Sequence, residues 1–171
     1  LTLPPEEVSE LLESGDTRWI NRPAHDLMGA NPRATKSSAG MPRGTSLYGS
    51  LPEQLDDDTS FARQLQAILA VRERYGVATS RQIDIPDVSH RGMLVMVHQL
   101  TDPEQLGLTV LNFANESIAG TVRSEHLVPG STVTDMFHDD LVATVDDLSS
   151  FHVELRAHGG MALLVTRAPD V

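Results

Sequence analysis

The chain has no cysteine, which removes disulfides, thiol nucleophiles and cysteine-based metal sites from consideration. It has one lysine, Lys36, and a formal net charge of −11. Nucleic acids and anionic membranes are held by clustered Lys and Arg, so neither is an expected partner. A neutral ligand such as a sugar suits this charge balance, although acidity of this kind also serves solubility alone. Aromatic residues are scarce at 4%, with a single tryptophan. No apolar run approaches the ~20 residues needed to span a bilayer, and no secretory signal is visible. The default location is the cytoplasm. Leu1 rather than methionine opens the sequence, which predicts a processed or truncated product.

What is present falls into two styles of chain. Residues 4–14, "PPEEVSELLES", predict a short helix: prolines suit its first turn, Glu6 and Glu7 face the positive end of the dipole, and Gly15 stops it. From Gly15 to Asp58 no period is sustained, and Pro and Gly recur throughout. Such a stretch is either disordered or a loop-rich surface wrapped on a partner. Then "DDDTSFARQLQAILAVRERYGV" predicts a helix, with Asp58 or Thr59 as N-cap and Gly76 as terminator. Its stripe of Phe61, Leu65, Ile68 and Leu69 needs a surface to cover it.

After Gly76 the period becomes two. Candidate strands cover 81–85, 93–100, 106–114, 118–124, 131–137, 141–145, 151–157 and 161–166. About eight short strands joined by tight turns predict an antiparallel β-sandwich. The fold class is therefore mainly β, with a loop-rich and helical lead-in over 1–79 and an all-β domain over 80–171.

The seven histidines form no H-x-H or H-x-x-x-H pair, so a metal site is not expected from them. Nucleotide-binding glycine loops and serine elbows are absent from the sequence. The acidic runs 56–58, 139–140 and 146–147 resemble paired catalytic carboxylates or a calcium loop at first sight. Each lies at a helix start or a turn, where aspartate ordinarily serves local hydrogen bonding.

One segment stands apart. "GDTRWINRP", Gly15 to Pro23, concentrates the one indole and two guanidinium groups where no period exists. Arg offers a planar fork of donors, and Trp a flat apolar face. Together they fit a polyhydroxylated ligand, or a buried Arg–carboxylate pair shaping a pocket. They fit equally a small core plugged by Trp19, with Arg18 and Arg22 in solvent.

The order of pieces adds information. "DTRWINRP", a variable segment, "FARQLQAILAVRERYGV", the strands "MLVMVHQL" and "LTVLNFANESIAGTV", and a closing "LRAHGGMALLV" resemble the C-terminal end of an α-amylase-family enzyme (glycoside hydrolase family 13). The nearest group is that of amylosucrases and trehalose synthases. The version "LPPEEVSELLESGDTRWINRPAHDLMG" is more similar to bacterial trehalose synthases, which are maltose α-glucosyltransferases.

The resemblance implies that residues 1–79 are the segment after the eighth strand of a (β/α)₈ barrel together with its last helix. Residues 80–171 would be the sandwich that closes the chain. The parent would be a retaining enzyme working through a covalent glucosyl–carboxylate intermediate. The aspartate nucleophile and glutamate acid/base of that family lie on earlier strands and are not in this sequence, so no catalytic residue is assigned. By the same resemblance Arg18 pairs with a barrel aspartate at the bottom of the glucose pocket. Trp19 packs beside it, and Asp16 and Arg22 orient the loop. No cofactor or metal is implied. The expected partners are a glucose-containing disaccharide, reached through the barrel, and the barrel itself. Amylosucrase or another α-glucan-active enzyme is the alternative within the family. A stand-alone carbohydrate-binding or subunit-interaction module is the alternative outside it.

Overall fold

A computed structural model describes residues 25–36, 43–44 and 46–168. The helix expected over 4–14 lies outside them. The chain divides into two compact units, Leu1–Ile68 and Leu69–Val171. Among the described residues no helix is long and apolar enough to cross a membrane.

The first unit is mostly turns and loops, with a short helix α1 (Leu51–Leu55) and the start of α2 (Phe61–Arg74). The N-cap of α2, expected at Asp58 or Thr59, is corrected to Ser60. Asp57 Oδ1 accepts hydrogen bonds from the amide and hydroxyl of Thr59 at 2.8 and 2.7 Å, which holds Thr59 in the preceding turn. Ser60 takes the cap instead, its Oγ accepting from the Arg63 amide at 3.2 Å. At the other end the Gly76 amide donates to the Glu73 carbonyl at 3.2 Å. Gly76 has a φ of +61°, a conformation glycine adopts without strain. No residue of α2 is buried. Phe61, Leu65, Ile68 and Leu69 are 43–56% exposed, a continuous apolar face open to solvent.

The second unit is the antiparallel sandwich that the alternation predicts. Its strands are β1 (Arg81–Asp84), β2 (Met93–Gln99), β3 (Gln105–Asn112), β4 (Ile118–Arg123), β5 (Thr132–Asp135), β6 (Leu141–Thr144), β7 (Ser150–Leu155) and β8 (Gly160–Thr166). One sheet has the order β1-β2-β3-β8-β5-β6 and the other pairs β4 with β7. All pairings are antiparallel. The register lines up Val97, Leu108 and Leu163 across three strands, and beside them Val95, Val110 and Met161. Ile118 and Val122 on β4, with Phe151, Val153 and Leu155 on β7, complete one apolar cluster shared by both sheets. Each such side chain contributes about 1.5–3 kcal/mol by leaving water.

Asn112 ends β3 inside this core at 3% exposure. Its Nδ2 donates to the carbonyls of Glu116 (2.8 Å) and Arg156 (2.9 Å), and more weakly to that of Leu155 (3.5 Å). Its Oδ1 accepts from the Ala114 amide at 2.8 Å. One side chain thereby closes the β3–β4 turn onto the end of β7.

Ser131 is the converse case. It is fully buried, and its hydroxyl has no hydrogen-bond partner among the described residues. An unmade buried hydrogen bond costs about 1–3 kcal/mol. Ser131→Ala is therefore expected to raise stability by about 1 kcal/mol, read as a higher urea midpoint with an unchanged slope. A lower midpoint would show that the hydroxyl does have a partner.

The turn aspartates serve structural hydrogen bonds, to backbone amides and to neighbouring side chains. Asp135 Oδ1 accepts from the amides of Phe137 and His138 at 2.7 and 3.0 Å. Asp139, at a φ of +58°, accepts from Arg74 Nη1 at 3.0 Å and from the Tyr75 hydroxyl at 3.1 Å. That ties the end of α2 to the β5–β6 turn. Asp146 Oδ1 accepts from the Leu148 and Ser150 amides, both at 2.9 Å, and Oδ2 from the Ser150 hydroxyl at 2.8 Å. The Ser150 hydroxyl, followed by these amides, holds the Asp146 carboxyl below its ordinary range. A carboxylate depressed in the folded state adds stability above its unfolded pKa and loses it as pH falls through the folded value. The stability gap between the native chain and Asp146→Ala should therefore be constant near neutrality and narrow below about pH 4. A gap that ignores pH in urea titrations would refute the assignment.

Candidate functional site

Asp16, Arg18, Trp19 and Arg22, the residues singled out for substrate binding, lie outside the described residues. The described chain begins at His25, close behind that segment, and its first turns are organised by Asp26. Oδ1 of Asp26 accepts from the Ala30 amide at 3.0 Å, and Oδ2 from the Asn31 amide at 2.8 Å. Gly29, with a φ of +65°, lets the backbone curl around the carboxylate.

Arg43 reaches the same carboxylate from further along the chain. Its Nη2 stands 3.5 Å from Asp26 Oδ2, and its Nη1 donates to the carbonyls of Asn31 and Ala34. Both side chains are largely covered, at 15% and 21% exposure. A guanidinium fork satisfied by a carboxylate and two carbonyls is a rigid fixture.

Ser50 and Glu53 form the third part. Glu53 Oε2 accepts from the Ser50 amide at 2.7 Å and from its hydroxyl at 2.8 Å, the capping box that starts α1. The Ser50 amide first, and its hydroxyl second, lower the Glu53 pKa. Ser46 Oγ and Gln54 Nε2 both donate to the Gly49 carbonyl, at 2.8 and 3.2 Å. Together these elements border a half-open cavity of about 370 Å³, whose lining includes His25, Asp26, Pro32, Arg43, Ser46 and Glu53 together with glycine backbone.

The Arg43 guanidinium offsets the Asp26 carboxylate, while Glu53 keeps its charge on the amide and hydroxyl of Ser50, so the cavity presents fixed polar groups with one net negative charge. That suits orientation of a polar ligand. Among the described residues no group of three or more His, Cys, Asp or Glu is placed to hold a metal. A depression of about 530 Å³ in the second unit borders the β7–β8 hairpin. Its polar side chains, Ser117, Glu154 and Arg156, are all exposed, so nothing there is held in advance for a ligand.

Sequence reasoning passed over Asp26, Arg43 and Glu53. Two of them carry a signal. "DLMG" puts Asp first and Gly fourth in a turn, and "SLPE" is a capping box. Arg43 carries none, because its partner is distant in sequence.

No protein-family model and no curated protein sequence matches the chain. Among solved structures it is similar to an α-amylase from Geobacillus thermoleovorans, crystallised with acarbose, at a TM-score of 0.54 and 16% identity; the match covers 79% of this chain and 27% of that one. It is similar also to a maltogenic α-amylase from Thermotoga neapolitana, at a TM-score of 0.55 and 12% identity, covering 78% of this chain and 30% of that one. The chain thus spans under a third of these structures. At such identities the likeness is one of fold: a sandwich and its lead-in shared with a portion of two α-amylases.

Proposed function

We propose that this chain is the C-terminal part of a trehalose synthase-like maltose α-glucosyltransferase, a retaining enzyme of the α-amylase family. Residues 1–79 would be the end of its barrel and residues 80–171 its closing sandwich. The observation that carries this reading is the order of "GDTRWINRP", an apolar-faced helix and a sandwich. It is supported by the fold likeness to two α-amylases, each of which extends well beyond the matched portion. The bare stripe of α2 is what a last barrel helix presents when the barrel is not alongside. The catalytic carboxylates lie in the barrel, so this chain alone is inactive.

Arg18 is the residue we place at the floor of the glucose pocket, paired with a barrel aspartate. Trp19 packs on it, and Asp16 and Arg22 set the loop. Leaving one member of a buried ion pair alone costs about 3–5 kcal/mol, or roughly two to four orders of magnitude in rate.

The test is the product of the full reading frame, assayed for conversion of maltose to trehalose. Conversion that falls at least about a hundredfold in Arg18→Ala supports the reading. Turnover of sucrose instead moves the parent to the amylosucrase side. A reading frame no longer than this chain, or an active product indifferent to Arg18→Ala, overturns it. A stand-alone sugar-binding module is the reading that would then take its place. It would have to work with Phe113 and Phe137, the exposed aromatics of the second unit, since Phe151 is buried.

A further inference from the structure

The cavity around Asp26 and Glu53 is built from groups whose positions are set before any ligand arrives. Both Asp26 oxygens are engaged by amides, and the Arg43 guanidinium is anchored by Asp26 and two carbonyls. Glu53 is held through Oε2 alone by Ser50, and among the described residues Oε1 accepts no hydrogen bond. The volume of about 370 Å³ falls in the range of small-molecule sites, about 300–1,000 Å³. Pro32 is the one apolar side chain larger than hydrogen in the lining, and no Phe, Tyr or Trp is among the rest, which disfavours a wholly apolar ligand. A phosphate would meet two carboxylates and one guanidinium that is already paired, which disfavours an anion. A neutral ligand rich in hydroxyls meets no such penalty. Carboxylate oxygens accept from its O–H groups, serine hydroxyls and His25 donate or accept, and glycine backbone lets a ring approach closely.

We propose that this cavity binds one sugar ring, a neutral polyhydroxylated ligand of monosaccharide size. As a subsite of a reaction it rests on the sugar-transferring reading above; as a binding site it does not. Its contribution is to ground-state binding, so it acts on KM and leaves the chemical step alone.

The probes are maltose and glucose, and the variants are Glu53→Gln and Ser46→Trp. Glutamine keeps the cap on Ser50 while removing the charge of Glu53, and tryptophan at position 46 fills the cavity. Loss of a hydrogen bond to a charged group corresponds to about tenfold or more in affinity. In the full-length enzyme Glu53→Gln is expected to raise KM for maltose about tenfold with kcat within about twofold. Ser46→Trp should raise KM at least as far. A KM unchanged in Glu53→Gln, with the thermal midpoint also unchanged, overturns the proposal even where Ser46→Trp fails to fold. If the full product does not convert maltose, calorimetric titration of glucose and maltose decides the binding site by itself. Binding by the native protein that weakens about tenfold in Glu53→Gln upholds it. No binding, or equal binding by both, overturns it.

Discussion

Asn112→Ala is expected to lower the thermal midpoint of the sandwich by roughly 10–20 °C, corresponding to about 3 kcal/mol in a domain of this size. The size of the effect follows from what the amide does. Its Nδ2 serves two carbonyls at 2.8 and 2.9 Å, from residues that lie far apart in the chain, and its Oδ1 serves an amide at 2.8 Å. Alanine would leave those groups without partners at a site 3% exposed, and it would free the β3–β4 turn from the end of β7. Asn112→Asp separates the donor role from the acceptor role. It keeps an oxygen for the Ala114 amide but presents a second, charged oxygen to two carbonyls. It should be worse than alanine at neutral pH and should recover as the pH is lowered and the acid becomes a donor. Calorimetric scans of both variants across pH check this. An alanine variant within about 1 kcal/mol of the native protein would show that the turn is held by the strands alone.

Ile68→Asp is expected to have opposite consequences in two settings. In this chain Ile68 is 51% exposed, so the substitution should change stability by no more than about 0.5 kcal/mol. On the proposed reading, the same position in the full product faces a barrel. An unpaired carboxylate there adds several kcal/mol of desolvation to the loss of about 1.5–3 kcal/mol of apolar burial. The full product should then lose its urea resistance and its activity together. Equal, small effects in both settings would mean that the barrel does not cover the stripe. A large effect in the short chain would mean that α2 is already packed there. Leu65→Asp offers a repeat of the comparison one turn earlier, from a starting exposure of 43%.

Strands such as β4 and β7 were legible in the sequence because one face lies in the core and the other toward solvent. On β7 the order Phe151, His152, Val153, Glu154, Leu155 reads as in, out, in, out, in. The end of α2 was legible because glycine suits the left-handed turn at position 76. Its start was less so. Asp57, Asp58, Thr59 and Ser60 can all cap, and only the hydrogen bonds show that Asp57 holds Thr59 and leaves the cap to Ser60. The sugar-binding reading of "DTRW" came from resemblance, because a guanidinium and an indole in a loop fit several roles and no spacing chooses among them. The Asp26–Arg43 fixture escaped notice for a related reason: a salt bridge between distant loop residues has no period and no spacing.

The strand order has a consequence for how the domain is made. β8 is the last strand in sequence, yet it lies in the middle of the large sheet, between β3 and β5. Until residues 160–166 have emerged from the ribosome, β1-β2-β3 and β5-β6 are two separate ribbons, each with an unpaired inner edge. Pairing Leu108 with Leu163 and Val133 with Val165 joins them, and the closure is non-local, the kind that makes β-rich domains fold in milliseconds to seconds. For that interval the nascent chain carries two raw edges, each a template for another copy. A chain stopped just short of β8 would keep both edges permanently and be prone to aggregate.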